Sequence, residues 1–247
     1  MRPERLSAVP ADQYADPVRV LMVANRGDDD PGFVGAALDA RGARLQVAHR
    51  EDAENLPDPT AFDVVVSLGS DWSVYWPRVA EQVAGEAALL RAAVGARVPV
   101  LGICFGGQVL AHALGGTVVR APTPEVGWFE VDSDVPDLIP VGPYLQWHWD
   151  RFVPPPGSTE LARNAAGSQA FVLGTALGVQ FHPEATPTML RLWSAGVTGT
   201  LDGTDVHPAD VVAEAERRAT EAAARADHLV QTFLSGAITG RPALAGS

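Results

Sequence analysis

Lysine is absent from this chain of 247 residues: all 18 basic side chains are arginine. That absence excludes Schiff-base enzymes, lysine-anchored pyridoxal phosphate and a P-loop of the G-x-x-x-x-G-K-[ST] type. Cysteine is nearly absent too. With Cys104 alone, neither an intrachain disulfide framework nor a multi-cysteine zinc or iron–sulfur site can be built. No apolar run approaches the ~20 residues of a membrane span, and residues 1–17 lack the apolar core of a signal peptide. Positive charge is in deficit, with 30 acidic residues setting the formal net charge at −12. Neither a nucleic-acid duplex nor an anionic membrane is then expected as the main partner, and the chain reads as cytoplasmic.

What is present is the composition of an ordinary folded protein, 47% hydrophobic and 19% charged. After a polar, proline-bearing arm over 1–17, short apolar strands are expected at 18–24, 44–48, 64–66 and 98–103. Helical spacing covers 33–40, 77–94 and 105–114. This alternation predicts an α/β fold of three layers, a mostly parallel sheet with helices on both faces. Farther on, 117–120, 127–131, 161–163, 170–173 and 177–181 are strand candidates between proline- and glycine-rich turns, read as antiparallel additions. A helix is expected at 186–195, and a longer amphipathic one at 208–234, stopped by Gly236. The division expected is an arm (1–17), a main domain (18–200) and a C-terminal helical extension with tail (201–247).

The window most informative for chemistry runs from the strand at 98–103 through Gly102-Ile103-Cys104-Phe105-Gly106 into a helix. It has the pattern of a nucleophile elbow with cysteine at its apex. The flanking glycines let strand and helix approach where a Cβ would clash. A cysteine at a helix N-terminus is favoured as thiolate, its reactive form, and the free N–H groups there, Phe105 foremost, can stabilise an oxyanion. Alone, a single cysteine also reads as a small buried hydrophobe. A candidate base exists in Gly178-Val-Gln-Phe-His182-Pro-Glu184. In the extended backbone that Pro183 favours, His182 and Glu184 share one face, and a carboxylate beside an imidazole fixes its tautomer. His49, His112, His207 and His228 show no evident partners and read as packing or surface residues.

Together these motifs resemble the class I, triad-type glutamine amidotransferases, most nearly the glutaminase domain of guanosine monophosphate synthetase and its stand-alone relatives. The resemblance spans about 18–193 and rests on LGICFGGQVLAHALGG, EVGWFEV, QWHWDRFVPPPGSTELA and GVQFHPE. It implies a flavodoxin-like architecture. It also implies Cys104 as nucleophile on the glutamine amide, His182 as base and Glu184 as orienting acid, with the Gly69 and Phe105 N–H groups as oxyanion hole. Gln108 matches a position that contacts substrate, and Trp147, His148, Trp149 and Asp150 match a loop holding its amino-acid end. No cofactor and no metal are implied.

Two departures stand out. The family usually has consecutive glycines and then proline where this chain has Gly69-Ser70-Asp71, and Trp149 stands where many relatives have glycine. The resemblance fades beyond Trp193, and no ATP-pyrophosphatase motif is present. An ammonia acceptor is therefore expected on another polypeptide. The helix at 208–234 is either a cover on the sheet edge or a docking surface for that partner or a second copy of the chain. Two alternatives stay open: a free-standing γ-glutamyl hydrolase, and a non-catalytic module that binds a ligand or partner.

Overall fold

The computed structural model describes residues 17–195 and 197–239; the expected arm, apart from Pro17, and the tail beyond 239 lie outside them. The first half alternates as expected: β1 (Arg19–Ala24), α1 (Gly32–Asp39), β2 (Arg44–His49), β3 (Val64–Ser67), α2 (Ala80–Gly95), β4 (Val100–Ile103) and α3 (Phe105–Ala113). Strands dominate the second half: β5 (Thr117–Ser133), β6 (Gly142–Val153), β7 (Thr159–Asn164), β8 (Gly167–Leu173) and β9 (Ala176–Val179), followed by α4 (Pro187–Trp193) and α5 (Pro208–Thr239).

All nine strands form one sheet in the order β2-β1-β3-β4-β9-β8-β7-β5-β6. The pairs from β2 to β9 are parallel and those from β9 to β6 antiparallel. The fold is thus a flavodoxin-like α/β sheet with antiparallel additions. In sheets of this type ligands bind beyond the carboxyl ends of the parallel strands, where the loops after β1, β3 and β4 lie.

Alternation along β1 explains the two-sided core. Val20 and Met22 pack with Val34 and Leu38 of α1 and with Ala226, Leu229, Val230 and Leu234 of α5. Leu21 and Val23 face the opposite layer, with Val83 and Leu90 of α2 and Val109 and Leu110 of α3. Burying a leucine or valine contributes roughly 2 kcal/mol, so the apolar stripe of α5 is held by its own chain. An arginine pair adds to it, Arg41 Nη1 lying 2.6 Å from Asp227 Oδ1.

Four expectations need correcting. The candidate at 177–181, read as an antiparallel addition, is β9, which pairs parallel with β4 and antiparallel only with β8. The candidates at 117–120 and 127–131 are one strand, β5, whose register against β6 shifts between Arg120 and Glu125. Trp147–Asp150, expected as a loop, lie inside β6. The helix at 208–234 runs on through Gly236, which takes helical backbone. The miss at β6 has a physical cause: its inward positions include Gln146, His148 and Asp150, all 5% exposed or less. Apolar alternation is inverted there, because a hydrogen-bond network makes burial of polar groups tolerable. Gln146 Nε2 donates to Gln169 Oε1 (2.7 Å), His148 Nε2 lies 3.0 Å from Gln146 Oε1, and Asn164 Nδ2 donates to Glu125 Oε1 (2.7 Å).

Candidate active site

Cys104 sits between β4 and α3 with φ 50° and ψ −108°, one of two non-glycine residues with positive φ among those described. The glycines around it are required by contact. A Cβ on Gly106 would lie 2.1 Å from Ser67 O, and one on Gly102 2.6 Å from Gly106 O. Strand β4 and helix α3 are therefore in backbone contact, and the chain can turn only at Cys104. Holding an L-residue in this conformation costs of order 1–3 kcal/mol. Cys104→Gly is accordingly expected to be more stable than Cys104→Ala by ~1 kcal/mol or more, as measured by urea unfolding; equal stability would show that position 104 carries no strain.

The turn places Cys104 (4% exposed) on a cavity of about 440 Å³ at the carboxyl ends of β3 and β4. Gln180 Nε2 donates to its sulfur across 3.8 Å. His182 follows β9 and is fixed from behind: its Nδ1 lies 2.7 Å from Glu184 Oε1. Glu184 is anchored in turn, since its carbonyl accepts from Phe33 N at 2.8 Å, at the start of α1. The other imidazole nitrogen, Nε2, is buried without an aligned hydrogen bond among the described residues. Burial opposes protonation of His182, but the neighbouring Cys104 and Glu184 charges and the Glu184 hydrogen bond outweigh it, so the imidazole is held well above the usual histidine range. A raised value means that protonated His182 contributes stability in full below the unfolded histidine value near ~6.5. That contribution is lost as pH rises through the folded value.

The remaining sequence candidates converge here. Gly69, Phe105, Gln108, Trp147, His148, Trp149 and Asp150 all line the cavity with Cys104 and His182, and Glu184 stands behind the imidazole. Gln108 Nε2 donates to Asp150 O (3.0 Å), tying α3 to β6. The Asp150 carboxylate accepts from Ser73 Oγ and, at 2.8 Å, from Tyr75 Oη. Trp149 Nε1 donates to Asp202 O (2.8 Å), attaching the segment before α5 to the rim. Among the described residues no group of three or more His, Cys, Asp or Glu could hold a metal ion. Three histidines read as unpartnered do have partners: His49 with Asp29 Oδ2 (3.1 Å), His207 with Gly199 O (3.2 Å) and His228 with Asp137 O (2.8 Å).

Sequence reasoning missed several lining residues, among them Trp72, Ser73, Trp76 and Arg120, and two more that stand close to the imidazole. Trp193, the last residue of α4, packs with its ring centre 5.0 Å from that of His182 and tilted 59° to it, and its Nε1 donates to Asp28 Oδ1 (3.0 Å) in the loop after β1. Burial, reinforced by the Glu184 charge, pushes the Asp28 carboxyl up despite that hydrogen bond. Neither residue lies in a motif, and only the tertiary fold brings them to the imidazole.

A cysteine at a strained strand–helix turn, beside an imidazole backed by a carboxylate, has the chemistry that cysteine-dependent acyl transfer requires. Comparison with known proteins gives a family likeness. The family model "Glutamine amidotransferase class-I" matches residues 76–191. The glutamine-hydrolysing GMP synthase of Aeropyrum pernix is 38% identical over 138 residues, covering 53% of this chain and 25% of that protein. One subunit of the glutamine-hydrolysing GMP synthase of Saccharolobus solfataricus is 37% identical over 101 residues, covering 37% of this chain and 54% of that one. A solved glutamine amidotransferase structure from Thermotoga maritima superposes with a TM-score of 0.80 at 25% identity, covering 89% of this chain and 99% of that chain. The matches span a quarter and about half of the two curated relatives' lengths. Over residues 76–191 the chain matches the class I glutamine amidotransferases, a family of enzymes, and over 89% of its length it shares the fold of the Thermotoga maritima structure. Among the described residues no helix is long and apolar enough to cross a membrane.

Proposed function

We propose that this chain hydrolyses the side-chain amide of glutamine through a thioester on Cys104 and delivers the ammonia to an acceptor on a separate polypeptide. The observation that carries the reading is the juxtaposition of Cys104, in its strained turn, with the His182–Glu184 pair. The Cys104 thiolate adds to the amide carbon, and the N–H groups of Gly69 and Phe105 donate to the developing oxyanion. Collapse of that intermediate breaks the carbon–nitrogen bond, with the His182 imidazolium giving its proton to the departing ammonia. Neutral His182 then takes a proton from water, whose oxygen attacks the thioester and releases glutamate and the Cys104 thiolate. Glu184 holds the imidazole in the tautomer both steps need. An acceptor in trans is supported by the likeness to the Saccharolobus solfataricus protein, by its name one part of a larger GMP synthase.

One observation favours a second reading, hydrolysis of a larger γ-glutamyl amide. Five of the six tryptophans, at 72, 76, 147, 149 and 193, line the cavity, whose volume falls in the range that takes drug-sized ligands, ~300–1,000 Å³. Glutamate release from glutamine, measured beside release from γ-glutamyl alkylamines, separates the two. On the first reading Trp149 closes the pocket over glutamine. Trp149→Gly then raises KM for glutamine about tenfold and admits the alkylamines. A wild-type enzyme that prefers the alkylamines supports the second reading and overturns the first.

A further inference from the structure

Arg50 is a fully buried side chain that the reaction above does not use. It opens the 3-10 turn after β2, and its guanidinium is surrounded by acceptors. Nη1 donates to Asn25 Oδ1 (2.6 Å) and Gly69 O (2.9 Å), and Nη2 to Leu68 O (2.9 Å) and Val23 O (3.3 Å). Nε lies 3.0 Å from Glu86 Oε2, an ion pair too far out of line to count as a hydrogen bond. Glu86, equally buried, is held by Ser67 Oγ at 2.5 Å. The Arg50 guanidinium carbon also sits 4.8 Å from the centre of the Phe105 ring.

Two of these bonds bear on the chemistry. In a strand, successive carbonyls point to opposite sides, yet Leu68 and Gly69 aim theirs at one guanidinium. In a trans peptide the carbonyl and the N–H of the next residue point in opposite directions. Fixing the Leu68 and Gly69 carbonyls on Arg50 therefore turns the N–H groups of Gly69 and Ser70 away from it, and consecutive N–H groups turned one way form an anion-binding concavity. The side they face is the cavity: a Cβ on Gly69 would lie 3.0 Å from His182 Cε1 and 3.9 Å from Cys104 Cβ. No acceptor among the described residues takes either N–H.

We propose that Arg50 is a positioning residue, which aims the Gly69 and Ser70 N–H groups at the oxyanion formed beside Cys104. This rests on the reading of Cys104 as an acyl-transfer nucleophile. It accounts for a loop that reads Gly69-Ser70-Asp71 rather than consecutive glycines and proline: a guanidinium behind the peptides does what local backbone preference would otherwise have to do. Only arginine offers five donors in one plane for the purpose.

The test uses Arg50→Lys, which keeps a charge opposite Glu86 but cannot hold both carbonyls. The double variant Arg50→Met with Glu86→Met removes both charges together and serves if the single variant fails to fold. Three rates are compared with wild type: alkylation of Cys104 by iodoacetamide, which passes through no oxyanion; the acylation burst with p-nitrophenyl acetate, which does; and glutamine turnover. Loss of an oriented oxyanion donor is expected to lower acylation and the kcat for glutamine by about 10²–10³-fold. Alkylation and KM stay unchanged. Acylation at the wild-type rate overturns the proposal, as does a parallel fall in alkylation, which would mean that Arg50 only holds the site together. A wild-type protein that acylates with the ester but ignores glutamine refutes the glutaminase reading and leaves the Arg50 comparison intact. A wild-type thiol that alkylates but never acylates overturns both.

Discussion

Cys104→Ala is expected to lower glutamate release by about 10⁴-fold or more while the protein stays folded. The magnitude follows from the chemistry: with the nucleophile gone, only binding and oxyanion donors remain, and removing one member of such a constellation costs nearly as much as removing all. The fold survives because Cys104 contributes little to packing beyond a small side chain, whereas contacts of Gly102 and Gly106 hold the β4–α3 junction. Cys104→Ser is expected to be nearly as inactive, since a hydroxyl is far less ionised than a thiol beside the same imidazole. The check is glutamate production by coupled assay, with circular dichroism and thermal melting on the same samples. Activity retained in either variant removes the thioester from the mechanism.

His182→Ala is expected to lower turnover by about 10⁴-fold, and the reason differs. On the proposed mechanism the imidazole takes and returns protons in both half-reactions, and Glu184 acts on the thiol through it. Its protonation state is testable without substrate. Because Cys104 and Glu184 raise the His182 value against its burial, Cys104→Ala removes one raising interaction and moves that value downward. An NMR pH titration of the ring resonances follows the shift; a His182 that titrates near ~6.5 in wild type would show that the pair does not couple.

Legibility in the sequence tracked the physics of burial. Val20, Val64, Val66 and Leu101 are buried on parallel strands covered on both faces and read as apolar runs, so the first half of the fold was readable. Cys104, His182 and Glu184 were readable because local constraints, glycines at close contact and a proline-set extended turn, bind each to its neighbours in sequence. β6 was not, because its inward residues Gln146 and Asp150 are polar and bonded by side chains distant in sequence, Gln169 of β8 and Ser73 and Tyr75 of the loop after β3. Arg50, Asp28 and Trp193 were invisible for a related reason: each acts through contacts distant in sequence, such as Arg50 with Leu68 and Trp193 with Asp28.

The central claim is that glutamine is cleaved through a bond to Cys104. Acid quenching of the wild-type protein during turnover of glutamine, followed by mass spectrometry of the peptide spanning the β4–α3 junction, tests it most directly. The predicted result is a glutamyl acyl group on Cys104, sensitive to hydroxylamine and absent from Cys104→Ser. Glutamate released with the Cys104 peptide never modified, or released equally by Cys104→Ser, would contradict it.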